Sequence, residues 1–451
     1  MSISDNRDSI DFGKTNVRKL FSSIFFPTLL GMMFNMAFIL TDGIFIGHGI
    51  GGNGLAAINL VGPIMMIING LGMMFGIGVS VIAAIHLSQG NTKAARINVT
   101  QAFLAGTLTS FILGILCYLF PDPILSLLGA SGTLFSYAKE YYLWFIPTCL
   151  LLMIQTIGLF VIRLDGSPKY AMFSNIVPAI VNIILDYTFI FPCRWGLMGA
   201  SLATDIGGLV GTCMVLYYMF FQSKTLKFYR LKCSSTSLSL SLRNISYMVR
   251  MGSSGLVGEL SVAVMMLVGN LMFLKLIGND GVAAYSVACY LFPLVYMLCN
   301  AIAQSAQPII SFNHGAQNTM RVSKTFKFSL LISILAGCLV TLAFFFFAPT
   351  ISSIFLDPSA PAYPIIADGL PFYATAFIFM AVNICCVGYY QSIEKGGWAL
   401  IFTILRGIIF LTLAFIILPN TIGDIGLWLS VPTAELLTTL TIVIHRLCSK
   451  S

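Results

Sequence analysis

The sequence is short of charge. Asp, Glu, Lys and Arg make up 9% of its 451 residues against 58% hydrophobic, whereas a soluble domain carries roughly 25% charged residues. A soluble enzyme or binding module with a solvated shell is thereby excluded. Histidine is scarce too. His48, His86, His314 and His445 fall at the ends of apolar stretches or in loops, so no histidine is placed for catalysis inside an apolar segment. The cysteines, Cys117, Cys149, Cys289 and Cys385 among them, are scattered without paired spacing in loops. They read as small packing residues, which excludes a disulfide framework or a cysteine metal site. Period-two alternation is absent, which excludes a transmembrane barrel. The stretch from Ser2 to Thr15 lacks the basic-then-apolar order of a signal peptide, so the first apolar segment is expected to be retained.

What the chain does have is long apolar runs. About twelve reach membrane length: 20–46, 57–86, 99–120, 138–163, 169–192, 197–221, 247–276, 283–311, 326–348, 363–390, 397–418 and 424–446. The expected fold is all-α and integral to the membrane, with small soluble loops. With both termini in the cytoplasm, about 20 of the 24 Lys and Arg fall on that side. They cluster near Lys14, Lys93, Arg163, Lys224 to Arg243 and Arg321, and the outer side receives Lys139, Arg194 and Lys275. The net charge of +8 is therefore a topology signal and calls for no nucleic-acid partner.

The charged loop from Gln222 to Arg243 separates six apolar segments from six. The expected organisation is an N-terminal lobe at 1–221, a cytoplasmic linker at 222–246 and a C-terminal lobe at 247–451. The halves resemble each other. Gly51-Gly52-Asn53-Gly54-Leu55-Ala56-Ala57 matches Gly278-Asn279-Asp280-Gly281-Val282-Ala283-Ala284 at an offset of 227 residues, and Gly166, Gly196 and Leu197 match Gly396, Gly426 and Leu427 at 230. Two parallel repeats of six helices around a central cavity suit alternating access. Pro27 interrupts the backbone bonding of the first segment and is the expected hinge. Gly70, Gly72, Gly76 and Gly78 in the second segment serve either hinging or close helix packing.

Against this background the acids stand out. A carboxylate in hydrocarbon costs at least ~2.5 kcal/mol on insertion scales, yet Asp42, Asp186, Asp205, Glu259 and Glu435 all lie in apolar segments. Asn182 and Asp186, four residues apart, share one helical face. Counted from the outer turns, Asp42, Asn182, Asp186 and Thr204 fall in one layer, on the order of 8–12 Å below the outer surface. This oxygen-rich set suits a hard cation such as sodium, and its two carboxylates equally suit a proton. Simple helix-to-helix bonding is the structural alternative. By the offsets, the second half has Gly269, Thr412, Ile416 and Ala434 at the equivalent positions, so the shared fold does not require the set. Asp205 pairs with Glu435 across the repeat. Both are expected to line the substrate cavity, together with Glu259, giving it a bias towards cationic substrates.

Several motifs then resemble one family. Pro27, Thr41-Asp42-Gly43-Ile44-Phe45-Ile46-Gly47-His48-Gly49 and Leu55-Ala56-Ala57 resemble the first-helix signature of the MATE (multidrug and toxic compound extrusion) transporters. Arg163 to Met172 with Asn182 and Asp186, Gly196 to Thr204, Tyr390-Gln391 and Trp428 to Glu435 are similar to further family segments. The likeness covers nearly the whole chain and is nearest to the bacterial multidrug and DinF-like branch. It implies two six-helix bundles and a cation-coupled antiporter, driven by Na+ or H+, exporting organic cations or amphipathic drugs. It also implies a monomer among membrane lipids in the plasma (inner) membrane, no cofactor, no catalytic residue, and Asp42, Asn182, Asp186 and Thr204 as the cation site. The family's seventh-helix acid falls on Glu259. Ile39, Gly407 and Asp205 depart from the family pattern. A lipid-linked precursor flippase is the alternative transporter. A membrane-embedded enzyme would need a His/Asp pair or metal-binding acids at an interface loop.

The charge asymmetry carries a test. Single cysteines introduced near Asn53 and Gly281 should react with a membrane-impermeant maleimide in intact cells, and one at Ser235 should not. Labelling at 235 would reverse the orientation.

Overall fold

The computed structural model describes residues 10–232 and 234–448, which form helices and no strand. The first half runs α1 (Val17–Gly49), α2 (Gly52–Ser88), α3 (Thr92–Leu119), the short α4 (Pro121–Leu127), α5 (Gly132–Leu164), α6 (Pro168–Ile190) and α7 (Gly196–Tyr217), which ends in a π-turn, Tyr218–Gln222. The second runs α8 (Ser235–Leu276), α9 (Asn279–Gly315), α10 (Thr319–Phe346), the short α11 (Ala348–Phe355), α12 (Ala362–Ala374), α13 (Ala376–Ser392) and α14 (Gly396–Ile404). A second π-turn, Leu405–Ile409, leads into α15 (Phe410–Ile422) and α16 (Asp424–Cys448). Among the described residues 11 helical stretches are long and apolar enough to cross a membrane, and the bent pair α12–α13 makes a twelfth. The expected span at 363–390 is thus broken by a bend of 41°. There the Thr375 N–H bonds the carbonyl of Phe372 at 3.2 Å, a tighter turn than α-helical bonding gives.

The chain folds into two compact units, and they do not divide at the expected linker. One unit continues through Leu256 and includes Ser311–Asn318; the other comprises Val257–Ile310 and the chain from Thr319 onward. The expected linker residues 235–246 are already helical, as the start of α8. The preceding segment is bound to the first unit. Asp165 Oδ1 accepts from the N–H groups of Thr225 (3.1 Å) and Leu226 (2.9 Å), and its Oδ2 accepts from the Tyr218 hydroxyl at 2.8 Å. Arg96 Nε donates to the carbonyl of Thr225 at 2.8 Å. Local capping and packing therefore override the compositional break.

The repeat read from the sequence is a repeat of conformation. Gly51 and Gly278 both turn the chain with positive φ, 95° and 91°. Their N–H groups both bond a carbonyl five residues back, Ile46 and Phe273, at 3.1 Å. The α3 and α10 faces correspond as well. Leu104, Leu108, Ile112 and Ile115 are exposed on the first, and Leu331, Leu335, Leu339 and Leu342 on the second. Such a row is stable against lipid and costly against water.

Each unit has its own apolar core. The first gathers Ile46, Val61, Tyr141, Tyr142, Phe145 and Leu197. In the second, Trp428 packs against Phe273 and Tyr373 with ring centroids 4.9 and 6.3 Å apart. Pro27 lies inside α1, which runs on through it to Gly49. The glycines of α2 serve packing. A Cβ on Gly78 would sit 2.3 Å from the carbonyl oxygen of Met248, and one on Gly252 would sit 1.8 Å from that of Met74. The contact is backbone on backbone, so no rotamer change relieves it. Gly78→Ala and Gly252→Ala should each destabilise the protein by about 2 kcal/mol or more. Gly62→Ala, which meets nothing within 4 Å, should leave the melting temperature of the purified protein unchanged. Equal melting of all three variants would contradict the packing.

Candidate functional site

In the first unit, α6 packs between α1 and α7, and this brings the four expected site residues together. Asn182 and Asp186 share the buried face of α6, at 3% and 0% exposure. Thr204 of α7 lies opposite, where its hydroxyl accepts a hydrogen bond of 3.3 Å from Asn182 Nδ2 and donates to the carbonyl of Ala200 at 3.1 Å. Asp42 of α1 places its carboxyl group against that of Asp186. Gly49 lets α1 approach α6, since a Cβ there would lie 2.2 Å from Ile190 Cγ2. Phe45 packs edge-on against Tyr187 and Phe191 of α6.

The bonding at this centre is one-sided. Both carboxylate oxygens of Asp186, Oδ1 of Asp42 and Oδ1 of Asn182 are buried and meet no hydrogen-bond donor among the described residues. Buried polar atoms in folded proteins are nearly always satisfied, and a carboxylate away from water demands positive charge. Two carboxylates, an amide oxygen and a hydroxyl fit a hard cation, and the facing carboxyl pair fits a shared proton.

Asp205 is held from a further helix. The Thr148 hydroxyl of α5 donates to its Oδ1, so Asp205 ties α7 to α5. Tyr141 of α5 lies within electrostatic reach of Asp42, Asp186 and Asp205 together. Thr148 was invisible beforehand, being one hydroxyl among many in an apolar segment.

The second unit handles its acid differently. Glu435 of α16 is 3% exposed, and its Oε1 lies 2.7 Å from Nε of Arg406 on the π-turn. Asn383 of α13 donates from Nδ2 to Glu435 Oε2 at 2.7 Å and to its carbonyl at 2.8 Å, and accepts from the Thr439 hydroxyl at 2.9 Å. The Arg406 guanidinium also lies 5.7 Å from the centre of the Tyr296 ring. Glu435 therefore adds no open negative charge, which corrects the expectation of a cation-favouring acid there. A lone Arg and a lone Glu, each in an apolar segment, was the available signal, since intramembrane charges pair with one another. Glu259 of α8 is half-buried, and its charge acts on Tyr296. No cluster of three or more His, Cys, Asp or Glu able to hold a metal occurs among the described residues.

Two repeated units of membrane-length apolar helices define a multi-pass membrane protein, and comparison with known proteins gives its family. The MatE family model matches residues 27–188 and again 256–416, so the chain belongs to the MatE (MATE) family. The two matches restate the internal duplication. A "FAD transporter" of Shewanella oneidensis is 27% identical over 341 residues, covering 74% of this chain and 73% of its own. The multidrug export protein MepA of Staphylococcus haemolyticus is 22% identical over 94% of this chain and 92% of its own. An outward-facing multidrug resistance MATE transporter of the MOP superfamily superposes with a TM-score of 0.89 at 21% identity, over 97% of this chain and 96% of that one. A MOP superfamily transporter of Pyrococcus furiosus, whose binding pocket is described as of reversed polarity, superposes equally well at 20% identity, over 98% and 97%. The chain is thus a multi-pass membrane protein of a transporter family.

The facing carboxyl pair carries a test. In a double-mutant cycle of Asp42→Asn and Asp186→Asn, followed by sodium binding and proton uptake on the purified protein, the double variant should lose little more than the worse single variant. Residues sharing one ligand couple in this way. Additive losses would assign the two acids to separate tasks.

Proposed function

We propose that this protein is a cation-coupled antiporter that exports amphipathic organic compounds by alternating access, with Asp42, Asn182, Asp186 and Thr204 binding the coupling ion. The observation that carries the reading is the set of buried, donor-free oxygens on α1 and α6. A site of this kind is stable with a cation or proton and unstable without one. Loading and unloading it changes which arrangement of the helices is favoured, and an ion can drive a conformational equilibrium only through such differential affinity. The coupling ion, Na+ or H+, is cargo and not a resident cofactor.

Pro27 supplies the flexible point. It removes one backbone bond of α1 about four turns from Asp42, so α1 can bend in response to the charge on its own carboxylate. The relatives' names span drugs and a flavin dinucleotide, which supports amphipathic cargo. The distribution of Lys and Arg supports cytoplasmic termini, and the family supports the plasma membrane as the location.

Asp42→Asn keeps the size and removes the charge. The variant should insert and melt like the parent, yet lose gradient-driven export in proteoliposomes by at least ~100-fold, the loss of about 2.7 kcal/mol of coupling. Dye efflux under imposed sodium or pH gradients reads this directly and also identifies the ion. Wild-type export by a well-inserted Asp42→Asn protein would remove the basis of the proposal.

A further inference from the structure

The first turns of α8 are built inside out. Gln101 of α3 donates from Nε2 to Ser241 Oγ at 2.8 Å and accepts from Asn244 Nδ2 at 3.1 Å, so the polar face of this stretch packs on the protein. Leu238 and Leu242, four residues apart on another face, are 64% and 62% exposed. A helix against water does the reverse and turns its apolar face inward. We propose that these leucines and the basic residues just before them form a docking surface for an anionic phospholipid. Lys227, Arg230 and Lys232 take its phosphate, and Leu238 and Leu242 take its acyl chains. This inference goes beyond the transport reading and does not depend on the coupling ion.

Three observations carry it. The first is charge. From position 222 to position 250 the sequence has six Lys and Arg and no Asp or Glu. Lys227, Arg230, Lys232 and Arg243 are exposed, and Lys93 of α3 adds its ammonium 5.9 Å from the centre of the Tyr229 ring. A basic run beside a membrane span attracts anionic headgroups, each Lys or Arg adding to the affinity. The second is that the charges are held in place. The Tyr229 N–H donates to Thr100 Oγ1 at 2.9 Å, and Arg96 donates from Nη2 to the carbonyl of Lys224 at 3.2 Å. Phe228 packs edge-on against Phe103 of α3, with ring centroids 5.1 Å apart. The backbone carrying Lys227 and Arg230 is therefore fastened along the start of α3, which lowers the ordering cost when a headgroup binds.

The third is depth. α8 has 42 residues, about 63 Å of helix, twice the ~30 Å hydrocarbon core, so part of it lies beyond that core. Gln101 stands one turn before Leu104, where the outward apolar row of α3 begins. Its bond to Ser241 sets the start of α8 at the edge of that row, and the leucines beside it extend the apolar surface towards the charged segment. Phe220 and Phe221, 64% and 76% exposed, add aromatic rings just before the basic run. Apolar, aromatic and basic side chains in this order match the boundary between acyl chains and headgroups. A soluble protein partner would have to cover a face that adjoins acyl chains.

The test is fluorescence polarisation of an acyl-labelled phosphatidylglycerol and its phosphatidylcholine counterpart, titrated with the full-length protein in neutral detergent. Phosphatidylglycerol should bind at least ~10-fold more tightly, and the preference should fade as salt shortens the reach of the charges. Arg230→Gln alone should weaken phosphatidylglycerol ~5-fold. The triple variant Lys227→Gln, Arg230→Gln, Lys232→Gln should melt like the parent and bind both lipids equally. Lys275→Gln, exposed in the last turn of the same helix, should keep the full preference. Leu238→Ser with Leu242→Ser should weaken both lipids alike. Discrimination that survives in the triple variant, or falls equally in Lys275→Gln, would overturn the proposal. So would lipid binding that ignores the leucine pair, or inorganic phosphate that displaces the labelled lipid as well as unlabelled phosphatidylglycerol does.

Discussion

A carboxylate taken out of water must meet positive charge, and the interior of this protein is arranged around that demand. The two units meet it in different ways. In the second, Arg406 stands 2.7 Å from Glu435 and the charge is balanced within the fold. In the first, Asp42 and Asp186 face each other, and Asp42 Oδ1, both carboxylate oxygens of Asp186 and Asn182 Oδ1 lack donors among the described residues. One unit pairs its acid within the fold and the other leaves carboxylate oxygens without donors among the described residues, although both are built from the same repeat.

The duplication makes that contrast informative. The turns at Gly51 and Gly278 are the same in dihedral angle and bonding, and the outward faces of α3 and α10 correspond residue by residue. What is shared is what the bilayer enforces: satisfied backbone bonds, an apolar exterior and tight turns. What differs is what a site needs. At the positions of Asp42 and Asp186 the second repeat has Gly269 and Ile416. A Cβ on Gly269 would lie 2.3 Å from the ring of Tyr285, so the equivalent space is filled by an aromatic side chain. The second unit put its polar group elsewhere, on the π-turn.

Close backbone contact governs how the units divide. Gly78 and Gly252 let α2 and the first half of α8 meet without side chains between them. The start of α8 thereby belongs to the first unit, while its continuation from Val257 belongs to the second. A single helix thus passes from one compact unit to the other. The segment before it is fixed by Asp165, a residue of the family-like stretch that begins at Arg163, whose purpose becomes visible once its hydrogen bonds are seen.

By itself the sequence determined the class, the number of spans and the repeat, and it picked out the four residues that the first unit brings together. Each rests on a local or periodic property: the length of an apolar run, a constant offset, or the depth of a residue counted from a turn. Helix rise converts such counts directly into depth. Depth is one coordinate of three, however. It set Asp205 and Glu435 at one level of the two repeats, and only the tertiary structure decided what each one bonds. Asp205 turned to Thr148 on α5, 57 residues away in sequence, and Glu435 to Arg406 and Asn383 on two other elements. The direction of a side chain around its helix axis depends on neighbours distant in the chain, and a charge is open or neutralised according to that direction.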